Sequence, residues 1–220
     1  YVSTSSQGYF NSYVYDAAGN LISKISTPSD ETRTRQFFLA GLGLNKSIGS
    51  SSNLYANVSQ NYRAINFSDL YVVNPNYIVD PNIKDETGYT ADVGIRGSVK
   101  QRFNYELTGF YIKYNGKIGQ VLKSGIAPLY NDFRFRSNIS DAQNMGVESF
   151  MEYAIVMSDS SQASIDWNVY SNFAYVNARY INTQDASIKN KQVEMVPPVI
   201  WRLGSEFRYK KLKFNVMYSY

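Results

Sequence analysis

From about residue 32 to the end, apolar and polar residues alternate in short runs, and the links between runs alternate between short and long. Tyr89, Ala91, Val93 and Ile95 fall on one face of an extended segment, with Thr90, Asp92, Gly94 and Arg96 on the other. Phe103, Tyr105 and Leu107 oppose Asn104, Glu106 and Thr108 in the same way. So do Leu54, Ala56 and Val58 against Tyr55, Asn57 and Ser59, and Ile165, Trp167, Val169, Phe173 and Tyr175 against Asp166, Asn168, Tyr170 and Asn172. Trp201, Leu203 and Phe207 oppose Arg202, Glu206 and Arg208, and Leu212, Phe214, Val216 and Tyr218 oppose Lys213, Asn215 and Ser219. Residues 147–157 keep the pattern less cleanly, with Val147, Met151, Tyr153 and Ile155 set against Glu148 and Glu152. A period of two over this length calls for β-strands throughout.

The links carry as much information as the strands. Residues 46–52, 98–102, 158–162 and 210–211 read as short turns, and 66–85, 115–142 and 181–197 as long loops rich in Pro, Asn, Asp and Gly. This predicts eight strands; residues 1–31 add another strand and part of a loop, with a turn at 17–20. An up-and-down antiparallel sheet places every short turn at one end and every long loop at the other. Several strands exceed the ~9–11 residues that cross a bilayer at a tilt. Tyr89, Tyr111, Tyr114, Tyr175 and Tyr180 gather toward the long-loop end, and Phe103, Tyr105, Phe207 and Tyr209 toward the short-turn end. Two aromatic belts at two heights, with unequal links, fit an all-β, antiparallel, up-and-down transmembrane β-barrel. A soluble sandwich, propeller or carbohydrate-binding β-protein accounts for the alternation but not for the belts.

Composition narrows the chemistry. The 220 residues hold no cysteine and no histidine, which removes Cys/His zinc sites, cysteine nucleophiles and histidine triads. Twenty tyrosines and twelve phenylalanines supply the belts. The 22 basic and 18 acidic residues leave a net charge of +4, with the basic ones scattered, so nucleic acid is not an expected partner. No run approaches the ~20 apolar residues of a membrane-spanning helix, which leaves strands as the only crossing elements.

Few side chains qualify for a site. Glu148 and Glu152 lie four apart on one strand, about 13 Å at ~3.3 Å per residue, too far for a glycosidase pair and better read as polar residues facing a lumen. Gly41-Leu42-Gly43 lacks the third glycine and the helix of a nucleotide fingerprint, and reads as small residues where another group approaches closely. Asp80, Asp85 and Glu86 do not have calcium-loop spacing. The N-x-S triplets at Asn45, Asn57, Asn66 and Asn138 are expected by chance in this composition. Arg134 and Arg136, two apart on an extended segment, project to one side and can clamp an anion, set against the plainer reading of a solvated loop edge. Arg63, on the polar parity near the loop end of its strand, is a third candidate. No catalytic residue, metal site or cofactor is expected.

The run "RAINFSDLYVVNPNYIVDPNIKDETGYTADVGIRG", followed by "FNYELTGFYIKYNGKIG", resembles the late barrel region of TonB-dependent outer-membrane receptors. The elements that carry the likeness are a Pro/Asn-rich loop leading into Glu86, Tyr89 and Arg96, the Phe110-Tyr111 pair, the Gly116-Lys117-Ile118 step, and Asn144, Gly146, Val147 and Glu148. "VPPVIWRLGSEFRYKKLKFNVMYSY" resembles a later strand of that family and its return. "NFSDLYVVNPNYIVDPN" and "FRFRSN" are most similar to the ferric-dicitrate type. The resemblance implies that residues 1–220 are part of a TonB-dependent receptor barrel domain, about 8–10 strands of a 22-stranded barrel, with the plug domain and last strands absent. It also implies uptake of a ferric chelate across a Gram-negative outer membrane, contact with membrane lipid, energy from the TonB complex through the plug, and no enzymatic activity. Arg134 and Arg136, with Arg63, are then the expected anion contacts. Two alternatives stay open: a complete eight-stranded barrel or passive pore, to which the aromatic Tyr220 is equally suited, and a receptor for cobalamin, haem or a glycan.

Overall fold

The computed structural model describes residues 2–6, 9–16, 18–28, 31–70, 76–125, 132–157, 165–183 and 186–220. In chain order the elements are β1 (Val2–Ser6), β2 (Tyr9–Tyr15), β3 (Leu21–Pro28), β4 (Glu31–Arg35), β5 (Gly41–Ile48) and β6 (Ser52–Arg63). A one-turn helix α1 (Phe67–Leu70) and a short β7 (Tyr77–Val79) follow. The remaining strands are β8 (Glu86–Val99), β9 (Phe103–Lys123), β10 (Phe133–Val156), β11 (Ile165–Tyr180), β12 (Val199–Tyr209) and β13 (Leu212–Ser219). The chain forms two compact units: Tyr1–Phe38, Ala64–Ile83 and Gln120–Ser137 make one, and Leu39–Arg63, Lys84–Gly119 and Asn138–Tyr220 the other.

The larger unit follows the expected up-and-down path. The order β13-β12-β11-β10-β9-β8-β6-β5 joins each of the eight strands to its next neighbour in sequence, with every registered pair among them antiparallel. Pairing puts residues of one parity side by side. Ala56 lies opposite Val93, and Val93 opposite Gly109, while Asn57 lies opposite Asp92 and Arg96 opposite Glu106. One face of the sheet is therefore apolar across strands and the other polar, the division that a bilayer outside and a wet lumen inside impose. Among the described residues no protein covers the apolar face: Val93 is 54% exposed and Val216 73%. Apolar area of that extent against water is a penalty that lipid removes.

The protein core is small and lies at the long-loop end. Ala142, Ala178, Tyr180 and Val193 are buried together, with Ile188 and Val196 packed against them. The 186–197 segment is held there by backbone bonds from the Asn190 N–H to the Tyr180 carbonyl and from the Val193 N–H to the Ala178 carbonyl.

Four features depart from the sequence expectation. The loop expected at 115–142 is mostly strand: β9 runs on to Lys123 and β10 begins at Phe133. Beyond the bilayer both faces of a strand meet water, so the alternation that marks a strand within it disappears. Gly116 lies in that extension of β9 at φ +63°, a conformation open to glycine. At the other end of β10 a bulge between Ala154 and Val156 brings Val156 opposite Trp167, so Ile155 does not continue the expected face. Residues 66–85 hold α1 and β7, where no element was expected. Near the N-terminus β1 pairs β4 and β2 pairs β3, more strands than expected. Of the turn expected at 17–20, residues 18–20 are described, and there the Asp16 carboxylate accepts from the Ala18 and Asn20 N–H groups. The turn expected at 158–162 lies outside the described residues.

The link at 98–102 is a two-residue hairpin turn in which Lys100 and Gln101 have φ of 52° and 57°, and the Arg102 N–H donates to the Val99 carbonyl. Positive φ at both central positions matches the twist of the flanking strands. Asn-Gly would be the relaxed choice, so this turn holds ordinary side chains in a strained region.

Candidate functional site

In the smaller unit, α1 begins with a reciprocal cap. The Asp69 N–H donates to Asn66 Oδ1 at 2.9 Å, and the Asn66 N–H donates to Asp69 Oδ2 at 3.1 Å. Asp69 is fully buried, and its other carboxylate oxygen accepts from Nη2 of Arg136. Nη1 of Arg136 donates to the Tyr77 hydroxyl at 3.3 Å, and that hydroxyl donates to Gln120 Oε1 at 2.9 Å. β7 runs parallel to the start of β10, pairing Tyr77 with Arg134 and Val79 with Arg136. Backbone bonds from the Arg134 N–H to the Asn76 carbonyl and from the Asp80 N–H to the Arg136 carbonyl close the pair at both ends. Residues 76–80 and the capped turn that holds Asp69 are thus fastened to β10 by a strand pair and a buried charge pair.

The two arginines read as an anion clamp are therefore unlike. Burial works against the charge on Arg136, but its bonds with Tyr77 and Asp69 outweigh that and raise its pKa. Its charge is matched by Asp69. Arg134, same parity and two residues earlier, is exposed. Lys123, the other cation here, lies over the Phe135 ring at 3.8 Å from its centroid. Arg134 thus stands exposed on a strand that the Arg136–Asp69 pair helps to fix, two residues from a guanidinium whose charge is already matched.

Arg63 belongs to the larger unit and ends β6. Its Nη1 lies 2.9 Å from Oε1 of Glu86, the first residue of β8, whose side chain is 6% exposed. The same oxygen accepts from the Ile118 N–H at 2.8 Å, so Glu86 ties β6, β8 and β9 together. The other acids of the loop are also locally engaged: Tyr62 donates its hydroxyl to Asp85, and Asp80 Oδ1 accepts from the Asn82 N–H. Among the described residues no three acids converge as a metal site.

On the polar face, Tyr55 donates to Glu106 at 2.8 Å and meets Thr108, while Arg96 lies 5.5 Å from the Tyr55 ring centroid. Glu152 accepts from Asn104 Nδ2 at 3.0 Å, and Glu148 is exposed. The close approach expected at Gly41-Leu42-Gly43 is present: a Cβ on Gly43 would stand 2.8 Å from Asn57 Oδ1.

Three determinants escaped the sequence reading. Asn66-x-x-Asp69 is a legible capping signal, but nothing local shows that Asp69 also meets Arg136. Asn138 works as a latch, accepting from the Lys84 N–H at 2.7 Å and donating to the Lys84 carbonyl at 2.9 Å. Asp141 accepts from the Gly116 N–H and from Asn182. Each joins segments distant in sequence.

The family described as TonB dependent receptor-like, beta-barrel matches residues 6–220. No curated protein matches the sequence. Among solved structures the chain is similar to the copper transporter OprC, with 15% identity and a TM-score of 0.59. That alignment covers 91% of this chain and 27% of the transporter, so the chain spans about a quarter of its length. At this identity the likeness concerns the fold.

Proposed function

The chain belongs to the TonB dependent receptor-like β-barrel family, and on that premise we propose that its intact parent imports a ferric chelate of the ferric-citrate kind using energy from TonB. The family is one of Gram-negative outer-membrane proteins, which places the apolar face against lipid and the polar face toward the lumen. The parent performs no chemistry on its cargo; it binds at the outer ends of the strands and admits the chelate past a plug domain that contacts TonB.

The observation that carries the substrate class is the exposed Arg134, which has no ion pair among the described residues, beside the Arg136–Asp69 pair. A guanidinium fixed on a strand suits the carboxylate oxygens of a citrate complex, which it can engage with two parallel bonds.

Equilibrium binding of ferric dicitrate to the intact receptor tests the reading. Saturable binding is expected, weakened at least about tenfold in Arg134→Ala by the loss of its charge-assisted bonds. Absence of binding would end the ferric-citrate reading and turn the search to haem, cobalamin and glycans.

A further inference from the structure

We propose that the outward face of β8 through β11 binds a phosphate-bearing lipid of the outer leaflet, with an acyl chain in a groove over Gly109 and the phosphate held by Lys113 and Arg179. The inference rests on the outer-membrane placement stated above.

Register brings these residues together. Tyr89 pairs with Lys113, and Gln143 with Arg179. β9 and β10 are neighbours, aligned by the bond from the Ala154 N–H to the Arg102 carbonyl and by the contact of Asn104 with Glu152. Carried along the strands, that alignment sets Gln143 opposite Lys113, Met145 opposite Tyr111 and Val147 opposite Gly109. Lys113 and Arg179 thus share one cross-strand row, two strand spacings apart, about 10 Å at ~4.8 Å each. The next row holds Tyr111, Met145 and Asn177, and the one beneath it Val93, Gly109, Val147 and Tyr175.

Those two lower rows line a groove of about 790 Å³ that is apolar almost throughout. Gly109 is its floor, because a Cβ added there would meet nothing within 4 Å. Tyr111 donates to Gln143 at 3.2 Å and rests against Tyr89, their ring centroids 5.7 Å apart, an arrangement suited to the lipid–water boundary.

Charge supplies the second half of the argument. Lys113 has no ion pair or hydrogen bond from its ammonium among the described residues. Arg179 spends Nε on Asn177 at 2.9 Å and Nη1 on the Asn190 carbonyl at 2.7 Å, which fixes the guanidinium and leaves Nη2 uncommitted. Asp92 borders the groove, but its parity is the opposite one and its carboxylate accepts from Asn57 Nδ2 at 2.8 Å; Glu148 has the opposite parity too. Two cations directly above an apolar groove match an anionic head above an acyl chain. A fatty chain alone would not need the cations, and a free anion would not need the groove.

The test uses the intact receptor in detergent, mixed with diphosphoryl lipid A and read by native mass spectrometry. One retained lipid per receptor is expected. The double variant Lys113→Ala with Arg179→Ala should lower retention about tenfold, as should Gly109→Leu, and dephosphorylated lipid A should bind the wild type as weakly. Heat-modifiable migration confirms that each variant is folded, and the half-buried Lys113 with the exposed Arg179 tests the site independently of the groove. Equal retention in folded variants, or of the dephosphorylated lipid, overturns the inference. So does a pair of receptors whose association Gly109→Leu abolishes, which would give the groove to a second copy. Recovery of the receptor outside the outer-membrane fraction would instead overturn the placement, and the site with it.

Discussion

Asp69 and Arg136, 67 residues apart in the chain, form an ion pair in which the carboxylate is fully buried. A buried carboxylate that loses a cationic partner keeps its desolvation cost with less compensation. Arg136→Ala should therefore loosen residues 64–83 by about 3 kcal/mol, the low end for such pairs because 22% of the Arg136 side chain stays exposed. Limited proteolysis between Tyr77 and Asp80 reads this, with Arg134→Ala as the control that leaves cleavage unchanged. Equal cleavage in both variants would show that the pair does not hold the segment.

The two faces of β8 differ by one residue. Val93→Arg, on the apolar face, should destabilise the folded barrel by about 2–4 kcal/mol, while Asp92→Asn on the polar face should be far milder. Urea unfolding in detergent or lipid compares them. Equal losses would mean the faces are wrongly assigned.

Two glycines on neighbouring strands make a sharper comparison. A Cβ at Gly146 would stand 2.0 Å from the Tyr175 carbonyl oxygen and 2.9 Å from the Phe110 ring, whereas Gly109 faces open space. Gly146→Ala should cost about 1–3 kcal/mol and Gly109→Ala close to nothing. The fraction that refolds to the heat-modifiable form measures both; a tolerant Gly146 would argue against the Phe110 contact.

Alkaline pH tests the loop core. Burial, and then the bond to Glu194, raise the Tyr180 phenol above the usual 10.0. A pKa raised by folding contributes stability in full below the unfolded value, and that stability is lost as pH climbs through the folded one. The advantage of the wild type over Tyr180→Phe should be flat up to pH 10.0 and shrink above it, as thermal unfolding across that range would show. An advantage that grew with alkalinity would contradict the assignment.

The hairpin turn gives a prediction of gain. Lys100→Asn with Gln101→Gly replaces two ordinary residues at positive φ with the pair that prefers it. An increase of about 0.5–1 kcal/mol is expected in equilibrium unfolding. No change would mean that the turn is not strained.

The sequence alone determined the strands, their up-and-down order and the division into lipid and lumen faces, because parity and link length are local. Tyr89 to Ile95 reports its own face wherever it is. It did not reveal the outer parts of β9 and β10, where water on both sides erases the alternation that makes Leu107 or Val147 legible. Nor could it separate Arg134 from Arg136, identical in type and parity. Only the tertiary structure brought Asp69 to one of them, Glu86 to Arg63, and Lys113 into a row with Arg179. Each of those pairings depends on strand register and long-range contact, and no sequence window contains both partners.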